Sequence, residues 1–303
     1  MQRHRLCLLL MLLFLAACIR EEYIDLPASE KPRIVITSHF TAGEPLCANI
    51  SLSQPITSIG SPQEVLPAGD VTLAADGIFL NRLFPEQGPG GRLFWKSRAL
   101  LKPGVRYSIT ARFPGYDTVQ ASDTIPAGIS AVSMKIKKDS IRTVEDTTGL
   151  RILRVPIVIS VNDLPAQRRY FAFGLQHELR KSGPTPPNSS ETKVSGFLAN
   201  GRTLALTYGT PEGVFLLNEN YWNDGRKTIE LEVVIPYRPN EEEPTRLLLE
   251  WRTLSEAYYR YHLSLATQGS PLSDPDAFFN NIQGGYGNFS GFARLRLAVA
   301  LPE

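Results

Sequence analysis

The chain has 303 residues, of which 43% are hydrophobic and 20% are charged, and this balance is typical of a folded globular protein. Its 23 prolines and 23 glycines are spread along the chain, which excludes collagen-like and low-complexity proteins. The 32 basic residues nearly equal the 30 acidic residues. Nucleic-acid binding requires a strongly basic surface, so we expect no nucleic-acid partner.

The N-terminus carries the pattern of an export signal. Residues 1–5 are basic, and Leu6 to Phe14 form an apolar run that is too short for a permanent membrane span. The sequence then reads Leu-Ala-Ala-Cys18, which resembles the lipobox of bacterial lipoproteins, in which small residues precede a cysteine that is diacylated. We therefore expect residues 1–17 to be a lipoprotein signal peptide and Cys18 to anchor the chain in the outer membrane, with an ordinary signal anchor as the alternative.

Residues 18–32 form the predicted lipidated tether. Arg20, Glu21 and Glu22 follow the cysteine closely, and this pattern resembles the surface-export signal of Bacteroidota lipoproteins. It predicts a protein that faces the cell exterior. A solvated charged tether facing the periplasm is the alternative.

Residues 33–126 have the density of strands that is typical of a β-sandwich, with about seven short strands in about 100 residues. The predicted strands are 33–40, 46–53, 70–74, 77–80, 92–97, 106–112 and 118–121. A Pro-Gly step at 103–104 precedes one of these strands, and Gly115-Tyr116 follows it. This arrangement resembles the carboxypeptidase-regulatory or transthyretin-like type of sandwich.

Residues 127–303 are predicted to form a second, β-rich domain with one helix. The predicted strands are 133–141, 150–161, 170–179, 193–198, 203–208, 228–235, 246–252 and 293–301. A capping-box pattern from Thr253 to Glu256 predicts a helix over 254–267, with a buried stripe at Leu254, Ala257, Tyr258, Tyr261 and Leu265. The glycines of 285–291 are predicted to lie in turns, and 239–244 in a solvated loop.

The sequence contains no convincing catalytic or metal-binding motif, and we expect neither an enzyme nor a bound metal or cofactor. Cys47 is predicted to be a structural thiol on the polar face of its strand, and His39, His177 and His262 match no nucleophile–base motif. His177-Glu178 begins like a zinc-protease helix but lacks its second histidine, which predicts a strand end. Consecutive glutamates at 241–243 lack the spaced ligands of a calcium loop.

Two further groups of residues are candidate sites. Three Asp-Ser/Thr-apolar triplets resemble the O-glycosylation acceptor of exported Bacteroidota proteins, and they place candidate acceptors at Thr118, Thr124 and Ser140, with strand-edge polar residues as the alternative. Near the C-terminus, five aromatic residues lie within fifteen positions. Phe289 and Phe292 are expected in the core, whereas Phe278, Phe279 and Tyr286 are candidates for a partner-binding rim.

The same C-terminal segment carries a family resemblance. The stretch from Phe278 to Gly291, with Asp25-Leu26-Pro27 and the strand at 33–37, resembles the Bacteroidota lipoproteins of domain of unknown function 4249. The resemblance implies an outer-membrane address, frequent proximity to TonB-dependent receptors and a β-rich two-part fold. We therefore expect a binding or gating accessory to a TonB-dependent uptake system. The alternatives are an adhesion-type sandwich and an unrecognised hydrolase.

Overall fold

The computed structural model describes residues 31–54, 66–88, 93–145, 149–162, 170–181, 189–200, 203, 207–210, 213–218, 220–222, 225, 227–267 and 278–302. The chain divides into two units, one made of residues 1–32 and 54–60 and the other of residues 33–53 and 61–303. All elements described below lie in the second unit. Within the described residues, no helix has the length and apolar character needed to cross a membrane.

Most strands of the first group show the alternating burial that two packed sheets require, whereas its two short edge strands are largely exposed. These strands are β1 (Ile34–Thr41), β2 (Pro45–Leu52), β3 (Asp70–Ala75), β4 (Ile78–Arg82), β5 (Phe84–Gln87), β6 (Leu93–Leu100), β7 (Arg106–Arg112) and β8 (Val119–Thr124). A four-stranded sheet has the order β4-β3-β7-β8, while β1, β2, β6 and β5 belong to a larger sheet. Ile36, Leu46, Leu73 and Ile109 are fully buried in their shared core, which confirms the predicted β-sandwich.

The second group adds eleven strands, a short 3₁₀ turn and a helix. They are β9 (Val132–Ile136), β10 (Arg142–Glu145), β11 (Arg151–Val161), β12 (Tyr170–Lys181), β13 (Ser190–Val194), β14 (Gly196–Ala199), β15 (Thr207–Gly209), β16 (Val214–Leu217), β17 (Thr228–Tyr237), β18 (Glu242–Leu254), α1 (Glu256–Thr267) and β19 (Tyr286–Ala300). A five-stranded sheet has the order β10-β11-β17-β14, with β9 also paired to β11. A second core includes Ile157, Phe173, Val233 and Trp251. The prediction of a mainly β fold with one helix in the C-terminal part is therefore confirmed.

A ten-stranded sheet contains strands from both groups, in the order β15-β16-β12-β18-β19-β1-β2-β6-β5, with β13 also paired to β12. Its central member is β19, which pairs in parallel with β1 from Tyr286 to Phe292 and antiparallel with β18 from Phe292 to Ala300. Among the described residues, the last strand therefore lies beside the first. The boundary expected at residue 126 stays a prediction.

The helix differs from its predicted start and buried stripe. Thr253 and Leu254 belong to β18, and the backbone N–H of Tyr258 donates to the Ser255 side chain at 3.1 Å, so Ser255 rather than Thr253 caps the helix. The buried residues of α1 are Tyr258, Tyr259 and His262. The strand pairing of β18 with β12 extends to Leu254 and delays the helix by two residues.

Several strand boundaries also differ from the prediction. The segment 193–198 contains two strands, because Ser195 separates β13 from β14 and these strands pair with different sheets. The segment 133–141 contains β9 followed by a 3₁₀ turn at Lys138–Ser140. The strand β18 begins at Glu242, inside the predicted loop, and β19 includes Gly287 and Gly291.

Candidate functional site

The segment 278–292 forms the candidate site, and two of its asparagines, Asn280 and Asn281, hold the backbone through hydrogen bonds. The side-chain amide of Asn281 donates to the Phe289 carbonyl oxygen at 2.8 Å, and its oxygen accepts from the Phe289 N–H at 2.9 Å. Asn280 donates to the Gly285 carbonyl oxygen at 3.0 Å and accepts from the Ile282 N–H at 3.1 Å. The loop before β19 is therefore fixed by side-chain bonds that imitate strand pairing.

Glycine is required in β19 because two neighbouring strands approach its backbone closely. At Gly287 the backbone has φ +116°, and a Cβ atom there would lie 2.1 Å from the carbonyl oxygen of Ile36. At Gly291 a Cβ atom would lie 2.8 Å from the carbonyl oxygen of Thr124. These glycines permit contact with β1 and β8, so they are strand positions and not the turn positions that were predicted.

A half-buried carboxylate joins β8 to β19 and α1. The Asp123 carboxylate accepts from the Gly291 N–H at 2.8 Å, and the Ser255 side chain is also its hydrogen-bond partner. Burial raises the pKa of the Asp123 carboxyl, and these hydrogen bonds oppose that increase only in part. Asp123 therefore belongs to the framework beneath the site.

The five C-terminal aromatic residues fall into two classes of exposure. Phe289 is fully buried and its ring centroid lies 4.5 Å from that of Phe40, while Phe292 is 6% exposed. Phe278 is 53% exposed, Tyr286 is 39% exposed and Phe279 is half-buried. The expected placement of Phe289 and Phe292 in the core is thus observed.

Arginines lie over the rings of Tyr286 and Phe279. The Arg33 guanidinium carbon is 5.3 Å from the Tyr286 ring centroid, and that of Arg260 is 4.5 Å from the Phe279 ring centroid. Cation–π contacts of this kind restrict the orientation of the rings. We define the aromatic rim as Phe278, Phe279 and Tyr286. The sequence does not predict its arginine partners, since Arg33 lies near the opposite end of the described chain from Tyr286 and Arg260 lies in α1.

The residues of the predicted anchor lie outside the described part of the chain. This applies to Cys18 and to Arg20, Glu21 and Glu22, so their assigned roles remain predictions.

The three candidate glycosylation sites differ in accessibility. Thr118 and Ser140 are exposed, whereas Thr124 is half-buried beside Asp123. An enzyme that modifies a folded protein requires an accessible hydroxyl, so Thr118 and Ser140 satisfy this requirement better than Thr124.

Cys47 has the environment of a structural thiol. It is half-buried in β2 and forms no disulfide, and burial raises the pKa of its thiol, which disfavours the reactive thiolate.

The structure contains a serine–histidine pair that the sequence did not reveal. His177 lies in β12, and Ser195 lies between β13 and β14. The Nδ1 atom of His177 lies 2.8 Å from the Ser195 hydroxyl oxygen. Each residue is only about 1% exposed, and burial lowers the pKa of His177. A substrate carbonyl has no access to this hydroxyl, so the pair is a buried contact rather than a nucleophile and base. His177 lies within β12 rather than at a strand end.

All three consecutive glutamates belong to ion pairs, and Glu241 lies 3.6 Å from Arg238. Glu242 accepts from Lys193 at 3.0 Å, and Glu243 accepts from Arg180 at 2.5 Å, both within the paired region of β18. Three or more potential metal-ligating side chains do not gather anywhere in the described residues.

The fold and the site together define a β-sandwich protein in which a C-terminal strand completes the sheet begun by β1 and presents an aromatic rim. A family model matches residues 20–297, and the chain belongs to this family, which is described as domain of unknown function DUF4249. No curated protein matches the sequence.

Similarity to solved structures is weak. The Fcho1 Mu homology domain of Danio rerio, solved with a bound Eps15 peptide, is 12% identical, with 90% of this chain and 97% of that chain covered and a TM-score of 0.19. The partial N-terminal region of an enterococcal surface protein is 8% identical over the same shares, with a TM-score of 0.16. These scores are too low to support a functional argument.

Proposed function

We propose that this protein is a surface-exposed outer-membrane lipoprotein that acts as an accessory of a TonB-dependent nutrient-uptake system, by binding or gating rather than by catalysis. The observation that carries the proposal is the exposure of the aromatic rim beside a buried framework. Phe278 and Tyr286 project from a segment fixed by Asn280 and Asn281. Exposed aromatic residues on rigid backbone are typical of binding hot spots, because little entropy is lost when they become buried.

The position of the rim suits a partner embedded in the same membrane. Tyr286 pairs with Val35, and its ring contacts Arg33, so this part of the rim lies where the chain enters β1. The proposed tether from Cys18 to Pro32 has 15 residues and spans at most about 50 Å. A receptor in the outer membrane is therefore within reach of the rim.

The anchor is tested by metabolic labelling with a fatty-acid analogue. We expect the wild-type chain to incorporate the label and the Cys18→Ala variant to lose it, because that thiol is the proposed acyl acceptor. Label that persists in the variant would defeat the lipoprotein assignment.

Surface exposure is tested by adding protease to intact cells of the native host. We expect the wild-type protein to be degraded and a variant with Arg20, Glu21 and Glu22 all replaced by alanine to be protected. A wild-type protein that resists protease in intact cells but not in lysed cells contradicts surface exposure.

The accessory role is tested by affinity purification from the native host after mild solubilisation. We expect a TonB-dependent receptor to co-purify with the wild type and its recovery to fall about tenfold or more when Phe278, Phe279 and Tyr286 are replaced by alanine. The matched control replaces Val144 and Leu198, which are 45% and 49% exposed on the five-stranded sheet, and should retain the receptor. Equal recovery from both variants would remove the rim from the proposal.

Glycosylation of Thr118 and Ser140 is proposed as a second surface property. We expect the intact mass of protein from the native host to exceed that of the lipidated polypeptide, and the excess to disappear when both residues are replaced by alanine. A mass equal to polypeptide plus lipid excludes this modification.

A further inference from the structure

A second exposed apolar surface lies at the opposite end of β1 from Tyr286. It consists of Ile78, Phe79, Leu80, Phe84 and Leu100, whose exposed fractions are 74%, 63%, 38%, 46% and 63%, and we call it the hairpin-tip patch. Leu100 pairs with Pro45, after the end of β1, whereas Tyr286 pairs with Val35 near its start. The patch and Tyr286 are therefore separated by most of the length of a strand.

The patch is built on a tight hairpin between β3 and the edge strand β4. Asp76 and Gly77 have φ values of +48° and +81°, which is the conformation of a type I′ turn between β3 and β4. The Asp76 carboxylate accepts from the Arg106 N–H at 3.0 Å and ties this turn to β7. The hairpin therefore presents Ile78 directly after a fixed turn.

The strand β4 is also tied to the other sheet. The side-chain amide of Asn81 donates to the Ser97 hydroxyl at 2.9 Å, which links β4 to β6. At the same end of the sandwich, the Lys102 N–H donates to the Tyr107 hydroxyl at 2.8 Å, and Tyr107 pairs with Ala75 beside the turn. Leu100 and the hairpin tip thus lie at one end of the sandwich, on a rigid base.

Three consecutive apolar residues distinguish this tip from an ordinary edge strand. Side chains of successive strand residues point to opposite faces, so Ile78, Phe79 and Leu80 expose apolar surface on both faces of β4. A rigid partner covers only one such face. A fluid lipid interface surrounds both.

The charges around the patch favour an anionic surface. The guanidinium carbon of Arg98 lies 4.5 Å from the Phe84 ring centroid, and Lys102 is exposed next to Leu101. In the part of the chain that the structure describes, neither cation forms an ion pair, whereas Arg82 pairs with Asp70 and Lys96 with Glu86. Two positive charges therefore border the apolar tip, whereas one exposed carboxylate, that of Asp76, lies in the turn itself.

We propose that the hairpin-tip patch inserts into an anionic lipid surface, with Ile78, Phe79 and Leu80 among the acyl chains and Arg98 and Lys102 at the headgroup phosphates. Apolar residues flanked by cations are the combination by which proteins bind membrane interfaces. This inference does not depend on acylation of Cys18 or on a receptor.

The test uses the full chain carrying Cys18→Ala, with Phe79→Trp as the reporter and Val194→Trp as the matched control. Phe79 is 63% exposed and Val194 is 59% exposed, so the two reporters start from similar solvent access. The probe is a vesicle of phosphatidylcholine and phosphatidylglycerol with brominated acyl chains, which quench tryptophan that enters the hydrocarbon. Both reporter chains carry the apolar residues 6–14, so any vesicle binding through this segment affects the two measurements equally.

We expect strong quenching in the Phe79→Trp chain and little in the Val194→Trp chain. Replacing Ile78 and Leu80 by serine should weaken the apparent vesicle affinity measured by this quenching about tenfold, and Arg98→Gln or Lys102→Gln about fivefold each. Pure phosphatidylcholine vesicles should quench less. Equal quenching of both reporters overturns the proposal. So does the result that vesicles leave the Phe79→Trp reporter unquenched while a protein partner shields this position from solvent.

Discussion

The two halves of β19 occupy different environments, although they form one continuous strand. Residues from Asn288 to Ala293 are all buried, whereas from Arg294 to Ala300 partly buried residues alternate with exposed residues. The first half lies beside β1 and contacts β8 and α1, and the second half pairs with β18. A strand that is covered on both faces leaves little room for larger side chains, so the first half of β19 should be more sensitive to substitution than the second half.

Substitution of Gly287 should produce the largest difference between the halves. A Cβ atom would clash with the Ile36 carbonyl oxygen in a backbone conformation that favours glycine, so we expect Gly287→Ala to lower the free energy of unfolding by about 4 kcal/mol or more. The control is Gly196→Ala in β14, where a Cβ atom meets nothing within 4 Å. Urea denaturation measures both, and equal stability of the two variants would contradict the close approach of β19 to β1.

Truncation of Phe289 should have the next largest effect. Its ring is fully buried beside Phe40, so Phe289→Ala should lower the free energy of unfolding by about 3–5 kcal/mol through cavity formation. In the second half, Leu297 is only partly buried, and Leu297→Ala should cost clearly less. A larger loss for Leu297→Ala would reverse the comparison.

Removal of the Asn281 amide tests how the first half is held in place. Asn281→Ala deletes two hydrogen bonds to Phe289 and should lower the free energy of unfolding by about 1–3 kcal/mol. Gln283 is exposed, and Gln283→Ala should change the free energy of unfolding by less than about 0.5 kcal/mol. Indistinguishable unfolding curves would show that the asparagine side chain does not support β19.

The pH dependence of stability should show a smaller effect from Asp123. Burial raises the pKa of this carboxyl in the folded protein, so the folded state binds the proton more tightly than the unfolded state. The stability that this tighter proton binding gives to the folded state is present at low pH. It is lost as the pH rises from the ordinary aspartate pKa through the raised one. Over that interval, Asp123→Asn should therefore gain stability relative to the wild type, as followed by denaturation at a series of pH values. If Asp123→Asn instead loses stability relative to the wild type over this interval, folding lowers the pKa of Asp123 rather than raising it.

Local patterns predicted most of the fold. Alternation of apolar residues located β1, β2, β3 and β7 to within a residue, because each has one buried face. The strands β5, β10 and β16 escaped prediction, since β5 and β10 are fully exposed and β16 is largely buried, so none of them alternates. Nor does a local pattern show that β19 pairs in parallel with β1, since this contact joins the two ends of the described chain.

The candidate site could be predicted only in part. The sequence separates Phe289 and Phe292 from Phe278 and Tyr286, because the alternating strand that follows requires an apolar layer. The contact of Arg33 with Tyr286 joins residues near opposite ends of the described chain, and the parallel pairing of β1 with β19 brings them together. The contacts of Arg260 with Phe279 and of Ser195 with His177 span shorter segments, but they depend on packing that the local sequence pattern does not show.

The division between buried framework and exposed rim is tested most directly by site-specific photo-crosslinking in the native host. A photoreactive residue in place of Tyr286 should yield an adduct with a TonB-dependent receptor, and one in place of Val144, which is similarly exposed on β10, should not. Because either side chain is at least 39% exposed, the fold should accept both replacements. Receptor adducts from position 144 and none from position 286 would contradict the account.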